Sequence, residues 1–145
     1  MFNRVRFVSP TKDNKLIVEF INGVTKEYDM NHILKRFPIF KDLLNDKEKF
    51  MSVKVGTGGY GIVWDDYFDL SCNELWDNGS IIKTEFDGLL SFSDASKIWN
   101  LNESTLRKAI SYGKLKSGID ASKFGHQWVV TYEAMIREYG EPRIN

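Results

Sequence analysis

The sequence of 145 residues predicts an α+β protein in two parts. The first is a curled antiparallel sheet with short helices, and the second is a winged or near-winged helix-turn-helix. Three observations predict this. The first half alternates short β-branched runs with tight turns, among them a strand, Asn22-Gly23, then a second strand. From Leu89 the apolar residues change to helical spacing. Between the two, Asp77-Asn-Gly-Ser80 has the composition of a turn and linker. The expected division is a first domain over 1–77, a linker over 78–87 and a second domain over 88–145.

In chain order, a strand runs from Val5 through Phe7 to Ser9-Pro10. Lys15 to Ile21 and Val24 to Tyr28 are the arms of the hairpin, with a type I′ turn expected because both its central residues need φ > 0. Asp29 can cap a short helix through Met30, Ile33 and Leu34, which Pro38 breaks. Phe37, Ile39, Phe40, Leu43 and Leu44 supply apolar bulk in a short helical stretch. Met51–Val55, Tyr60–Trp64 and Tyr67–Leu70 read as strands, the last two joined by an Asp65-Asp66 turn. Ser71 and Glu74 have capping-box spacing and open a brief helix.

In the second half, Ser93 is the expected cap of a helix over Asp94–Trp99, with Ala95, Ile98 and Trp99 on one face. Asn100-Leu101-Asn102 is a turn. Asn102 caps a second helix, Glu103–Tyr112, which Gly113 ends at C′. A short helix, a tight turn and a second short helix make a helix-turn-helix. On the second helix Leu106, Ala109 and Ile110 share one face, and Ser104, Arg107, Lys108 and Ser111 the other. That outer face, with Thr105, suits a major groove, where Arg reads guanine edges and Lys and Ser hold phosphates. Glu103 suits the helix dipole or accepts from cytosine. Lys114–Gly118 and Lys123–Val130 read as a hairpin with an irregular tip, which beside a helix-turn-helix is a wing. Thr131 caps a third helix with Tyr132, Met135, Ile136 and Tyr139 facing the core.

Charge follows the same division. Twenty basic and twenty acidic residues cancel, which argues against a chain that coats nucleic acid along its whole surface. Between Lys97 and Lys123, however, six basic residues meet two acidic ones, a net of +4 in 27 residues. Residues 1–85 carry 12 basic and 13 acidic groups. Lys97, Lys114, Lys116 and Lys123 are the expected phosphate contacts. At 42% hydrophobic and 14% aromatic the chain can build a core, which excludes whole-chain disorder. No apolar run reaches the roughly 18 residues of a membrane span. The first residues lack the h-region of a signal peptide. The single Cys72 fits a reducing cytoplasm.

Other patterns carry less. Gly56-Thr-Gly58-Gly-Tyr-Gly61-Ile-Val63 fits the dinucleotide and kinase glycine motifs. The first needs a following helix where Ile62-Val63-Trp64 reads as a strand. The second needs a lysine strand, an H-R-D loop and a D-F-G that are not in the sequence. A hairpin loop is the favoured reading. Asp65, Asp66 and Asp69 offer carboxylates to a hard cation, but Asp-Asp between strands ordinarily makes a turn. One Cys and the distant His32 and His126 do not make a zinc site. His126 beside Gln127 can touch a phosphate, though it suits a wing surface. Trp64, Trp76, Trp99 and Trp128 sit in apolar patterns and read as core. No catalytic constellation is specific, so neither an enzyme activity nor a cofactor or metal is expected.

Leu90–Tyr139 resembles the small winged helix-turn-helix domains of the excisionase and MerR kind, and more closely the compact helix-turn-helix domains of bacterial and phage regulators and antitoxin-like proteins. The matching residues are Ala95, Ile98, Leu101, Ser104-Thr105-Leu106, Ala109-Ile110, Gly113-Lys114-Leu115 and Gly125-His-Gln-Trp128-Val-Val-Thr131. The stretch from Gly118 to Phe124 is longer than in the plainest excisionase pattern. Residues 3–76 are similar to a small bacterial α+β family with no assigned function, through Leu16-Ile-Val-Glu-Phe20, Asn22-Gly23, Tyr28-Asp29, Phe40, Trp64, Asp69-Leu70 and Leu75-Trp76. These likenesses imply a cytoplasmic, sequence-specific regulator of transcription that binds double-stranded DNA, acts on its own operon and dimerises on a palindrome. The alternative is a protein-binding inhibitor, an antitoxin or a phage protein against a host defence such as a CRISPR nuclease, whose helix-turn-helix is autoregulatory.

Overall fold

Period-two alternation builds the first sheet. In the structure, a computed structural model that describes residues 1–142, β1 (Val5–Pro10), β2 (Lys15–Phe20) and β3 (Thr25–Asp29) form an antiparallel meander. Leu16, Val18 and Phe20 are buried along one face of β2, while Lys15, Ile17 and Glu19 alternate with them. The β2–β3 turn is not type I′. Its loop has three residues, Ile21 to Gly23. The Gly23 N–H donates to the Phe20 carbonyl at 3.0 Å and the Phe20 N–H to the Val24 carbonyl at 2.8 Å. Gly23 alone takes positive φ, +89°, and Asn22 instead accepts the Val24 N–H on its side chain. One left-handed residue after a tight turn is the three-residue hairpin solution.

Three short helices follow, α1 (Asn31–Arg36), α2 (Phe40–Asn45) and α3 (Lys47–Met51). Asp29 accepts the Asn31 N–H at 2.9 Å, and the break falls at Phe37-Pro38 as expected. The strand expected over Met51–Val55 shrinks to β4 (Lys54–Val55), because Asp46 caps α3 through the Lys49 N–H and draws Phe50 into the core. β4 pairs with β5 (Gly61–Val63), and β5 with β6 (Asp69–Ser71), making a second antiparallel sheet. The glycine motif is the β4–β5 hairpin loop, followed by a strand. A Cβ on Gly59 would lie 2.5 Å from the Val5 carbonyl oxygen, so close packing against β1 explains that glycine.

Ser71 accepts the Glu74 N–H at 3.1 Å and starts α4 (Cys72–Asn78). The expected linker at 78–87 is corrected here. Ser80–Lys83 is a strand, β7, antiparallel to β3, and the sheet order is β1-β2-β3-β7. The first unit runs from Met1 to Glu85. Its core gathers Leu16, Val18, Phe20 and Tyr28 from the first sheet, Ile62 and Leu70 from the second, and Ile33, Leu43, Phe50 and Leu75 from the helices. Each such burial contributes about 1.5–3 kcal/mol of transfer free energy.

The second unit begins at Phe86. It comprises β8 (Leu89–Ser91), α5 (Phe92–Ile98), α6 (Glu103–Ser111), β9 (Ala121–Phe124), β10 (Gln127–Thr131) and α7 (Tyr132–Tyr139). Its sheet has the order β8-β10-β9, so the wing hairpin is anchored by a strand preceding both helices. Residues 143–145 of the expected second domain lie outside the described residues. Among the described residues, no helix is long and apolar enough to cross a membrane.

Candidate nucleic-acid interface

The helix pair starts two residues earlier than the sequence suggests. Ser91, not Ser93, is the cap of α5, and its hydroxyl accepts the Asp94 N–H at 3.0 Å. The shift turns Phe92, Ala95, Ser96 and Trp99 inward, at i, i+3, i+4 and i+7. Ile98, expected inside, is exposed. Ser96 takes the inner place because its hydroxyl donates to the Ser93 carbonyl at 2.8 Å. The turn is made by Asn100 at φ +55°, and the Leu101 N–H donates to the Ser96 carbonyl at 2.7 Å.

The turn delivers the chain to Asn102, the extended N-cap residue of α6, whose side chain makes no capping bond. Leu106 and Ala109 are buried and Ile110 is packed beside them. Ser104, Thr105, Arg107, Lys108 and Ser111 are all exposed, as expected. Arg107 reaches Glu103 one turn back at 3.5 Å, an exposed i, i+4 pair. The Ser111 hydroxyl donates to the Arg107 carbonyl at 3.4 Å. Gly113, at φ +79°, ends the helix at C′. Tyr112, 83% exposed at the end of α6, was not among the expected contacts and lies beside Lys108 on the exposed side of the helix.

The phosphate candidates divide. Lys97, Lys116 and Lys123 are exposed on α5, in the loop before β9, and on β9. Among the described residues none of the three has an acidic partner within ion-pair distance. Lys114 instead sits over the Tyr139 ring, with its Nζ 4.3 Å from the centroid. The hairpin tip is also regular. Phe124 pairs with Gln127 across Gly125-His126, so the tip is a two-residue turn with Gly125 at φ +61°.

The long stretch from Gly118 is therefore no tip. It is a loop closed by Asp120, a buried carboxylate. Asp120 accepts from Arg137 at 3.1 and 2.7 Å, a two-pronged pair, and from the Lys116 N–H at 2.8 Å. Those bonds from Arg137 and then from Lys116 hold the Asp120 carboxyl below the usual carboxylate range, and the same pair raises Arg137. One of the two acidic charges in the basic segment is thus neutralised inside the fold.

The first unit offers a second polar cluster around Glu74. Its carboxylate accepts from Tyr28 at 2.8 Å and Asn78 at 3.0 Å, pairs with Arg36, and lies 3.6 Å from His32. Burial alone would raise Glu74, but the bonds from Arg36 and Tyr28 and the charges of Arg36 and His32 outweigh it and hold it low. Burial, then the bond to Glu74, raises Tyr28. Every group there is spent on another. Asp65 is likewise spent. It accepts the Tyr67 and Phe68 N–H groups at 2.8 Å each and pairs with Lys49. Among the described residues, no three His, Cys, Asp or Glu side chains come together as a metal site. Cys72 is buried.

The comparisons divide the chain in the same way. Residues 5–80 match a family described as protein of unknown function (DUF2442). Residues 82–144 match a family described as a helix-turn-helix domain, which supports DNA as a partner of this unit. No curated protein matches the chain, and no solved structure does.

Proposed function

The chain belongs to the DUF2442 family and carries a helix-turn-helix domain, and from that premise we propose that it is a sequence-specific regulator of transcription. It binds double-stranded DNA in the cytoplasm, controls its own operon, and reads a palindrome as a homodimer. The observation that carries this is the outer face of α6. Five residues that can hydrogen-bond base edges or phosphates, Ser104, Thr105, Arg107, Lys108 and Ser111, are exposed on one short helix. This row contributes little to the fold, since Arg107 gives only an exposed pair with Glu103 and Ser111 a bond to the Arg107 carbonyl. It is suited to a polyanion with readable base edges. Lys97, Lys116 and Lys123 flank that row in sequence and supply the salt-dependent part of binding, with Lys114 reaching phosphate only by leaving Tyr139.

Fluorescence anisotropy tests this. The full chain is titrated into its own upstream DNA and into a scrambled duplex, across a salt series. Preference for the upstream duplex that survives near physiological salt supports a regulator. Equal binding that disappears with salt reduces the patch to generic charge.

A second reading rests on the first unit. Phe37 and Ile39, on either side of Pro38, are 53% and 63% exposed, apolar side chains that a protein partner can cover. In that reading the first unit inhibits a protein and the helix-turn-helix only regulates. A pull-down retained by the double variant Arg107→Ala with Lys108→Ala supports it.

A further inference from the structure

Two carboxylates lie in the basic segment from Lys97 to Lys123, and the fold treats them differently. Asp120 is buried and held by Arg137 and the Lys116 N–H. Glu103 is left outward, with its side chain 45% exposed. It is the first residue of α6, and with Arg107 and Ser111 it follows one stripe of the helix at i, i+4 and i+8. The Arg107 Nη1 lies 3.5 Å from the Glu103 Oε2, at the outer limit of a hydrogen bond, and both side chains are exposed. Such a pair is weak, and a stronger partner can replace either half. The helix dipole favours an acid in the first turn. It gives no reason for that acid to share a stripe with the arginine of a face that meets a polyanion.

We propose that Glu103 determines the specificity of this face: with Arg107 it reads one C·G pair, Glu103 on the cytosine amine and Arg107 on the guanine. The proposal rests on the reading of α6 as a helix that enters the major groove, and it assigns that helix a base pair. The chemistry of the groove selects this pair. A carboxylate only accepts, so phosphate repels it. Guanine and thymine present acceptors, and adenine sets its amine beside the N7 acceptor. Cytosine presents an amine with no acceptor beside it on the same base. The carboxylate is therefore satisfied at cytosine and penalised elsewhere. The guanine paired with that cytosine presents O6 and N7 next to the amine, the pattern that a guanidinium reads with two prongs. Off DNA the two side chains face each other, and on DNA each passes to its own half of the pair while they remain neighbours. On any other sequence Glu103 is left among acceptors and phosphates, which lowers non-specific binding by the cations around it.

Selection from a pool of randomised duplexes, by the full chain and by its Glu103→Ala variant, tests this. The wild-type chain is expected to fix a C·G pair that the variant relaxes, with the rest of the site unchanged. Anisotropy on the selected duplex then measures the coupling. Exchange of that pair for T·A should weaken the wild-type chain roughly 5- to 150-fold more than it weakens the variant, the share of one good base contact. On a scrambled duplex the variant should bind several-fold more tightly than the wild-type chain. An exchange that weakens both proteins equally overturns the proposal. So does tighter binding of the variant to both duplexes by one common factor, which is bare repulsion. A common loss on both duplexes with a lowered thermal midpoint also overturns it and leaves Glu103 to the helix dipole. A wild-type chain that selects no sequence fails the regulator reading itself, whereas a chain that selects one equally well without Glu103 fails this proposal alone.

Discussion

The two units distribute charge differently. In the first, a carboxylate, an arginine, a histidine, a tyrosine and an amide close on one another around Glu74. Lys26 is buried with its Nζ 3.9 Å from the centroid of the Trp76 ring and donates to the Trp76 carbonyl. In the second, the buried Asp120 carboxylate, paired with a half-exposed Arg137, fixes the loop before the wing, while Lys97, Lys108, Lys116 and Lys123 face solvent. Polar groups that satisfy each other hold a fold. Polar groups left outward on a rigid helix are available to a ligand. The first unit also leaves Lys12, Lys35, Lys41, Lys47 and Lys54 exposed, so what singles out the second unit is its net charge of +4 between Lys97 and Lys123, where residues 1–85 carry 12 basic and 13 acidic groups.

The largest effect expected is from breaking the scaffold beneath the interface. Leu106 is fully buried under the α6 face, and Leu106→Ala should cost the second unit about 2–5 kcal/mol. The two cores are separate clusters, so amide hydrogen exchange should speed up in the second unit and stay unchanged around Leu75. Faster exchange in both would show that the cores are coupled.

Next comes the face itself. Arg107→Ala with Lys108→Ala should weaken binding to the upstream duplex by roughly 30- to 1,000-fold, as loss of two groove contacts at about 1–2 kcal/mol each. Both side chains are exposed, so the thermal midpoint by circular dichroism should hold. Unchanged affinity would remove α6 from the interface.

Acid separates the two kinds of charge further. Asp120 and Glu74 are both held low. A carboxyl depressed in the folded state contributes stability that is full above its unfolded value near 4 and lost as pH falls through the folded value. Thermal midpoints should therefore be flat from pH 7 to about 5 and fall below about 4. In Asp120→Asn the fall in the second unit should be shallower, from a lower starting midpoint. An equally steep fall would mean that the Arg137 pair contributes little.

The smallest effect is at the wing. Lys123→Ala should weaken upstream and scrambled duplexes alike and reduce the slope of log affinity against log salt by about 1. A loss confined to the upstream duplex would make Lys123 a base contact.

Local chemistry was legible in the sequence, and choices between equivalent neighbours were not. The caps at Ser71 and Thr131, the stop at Gly113 and the buried face of α6 follow from rules that act within a turn of helix. Ser91 and Ser93 are both good caps. Only packing chooses Ser91, because that register buries Phe92 against Trp128, with the rings stacked at 5.7 Å. β7 was hidden because Asp77-Asn-Gly-Ser80 reads as turn, and two isoleucines are too short a run to declare a strand that needs β3 as its partner. The Asp120–Arg137 pair spans 17 residues and the Tyr28–Glu74 bond 46, and no sequence period encodes such meetings. The exposure of the outer face of α6 was the most legible part, since exposure on a single amphipathic helix is a local property.

If α6 presents a reading face to DNA, its own backbone responds when duplex is bound. Backbone amide shifts of the full chain, followed as the preferred duplex is added, test it most directly. The largest changes are expected across residues 103–112, smaller ones at Lys97, Lys116 and the 123–127 wing, and little over the first sheet. Large changes in the first unit with α6 unmoved would contradict it.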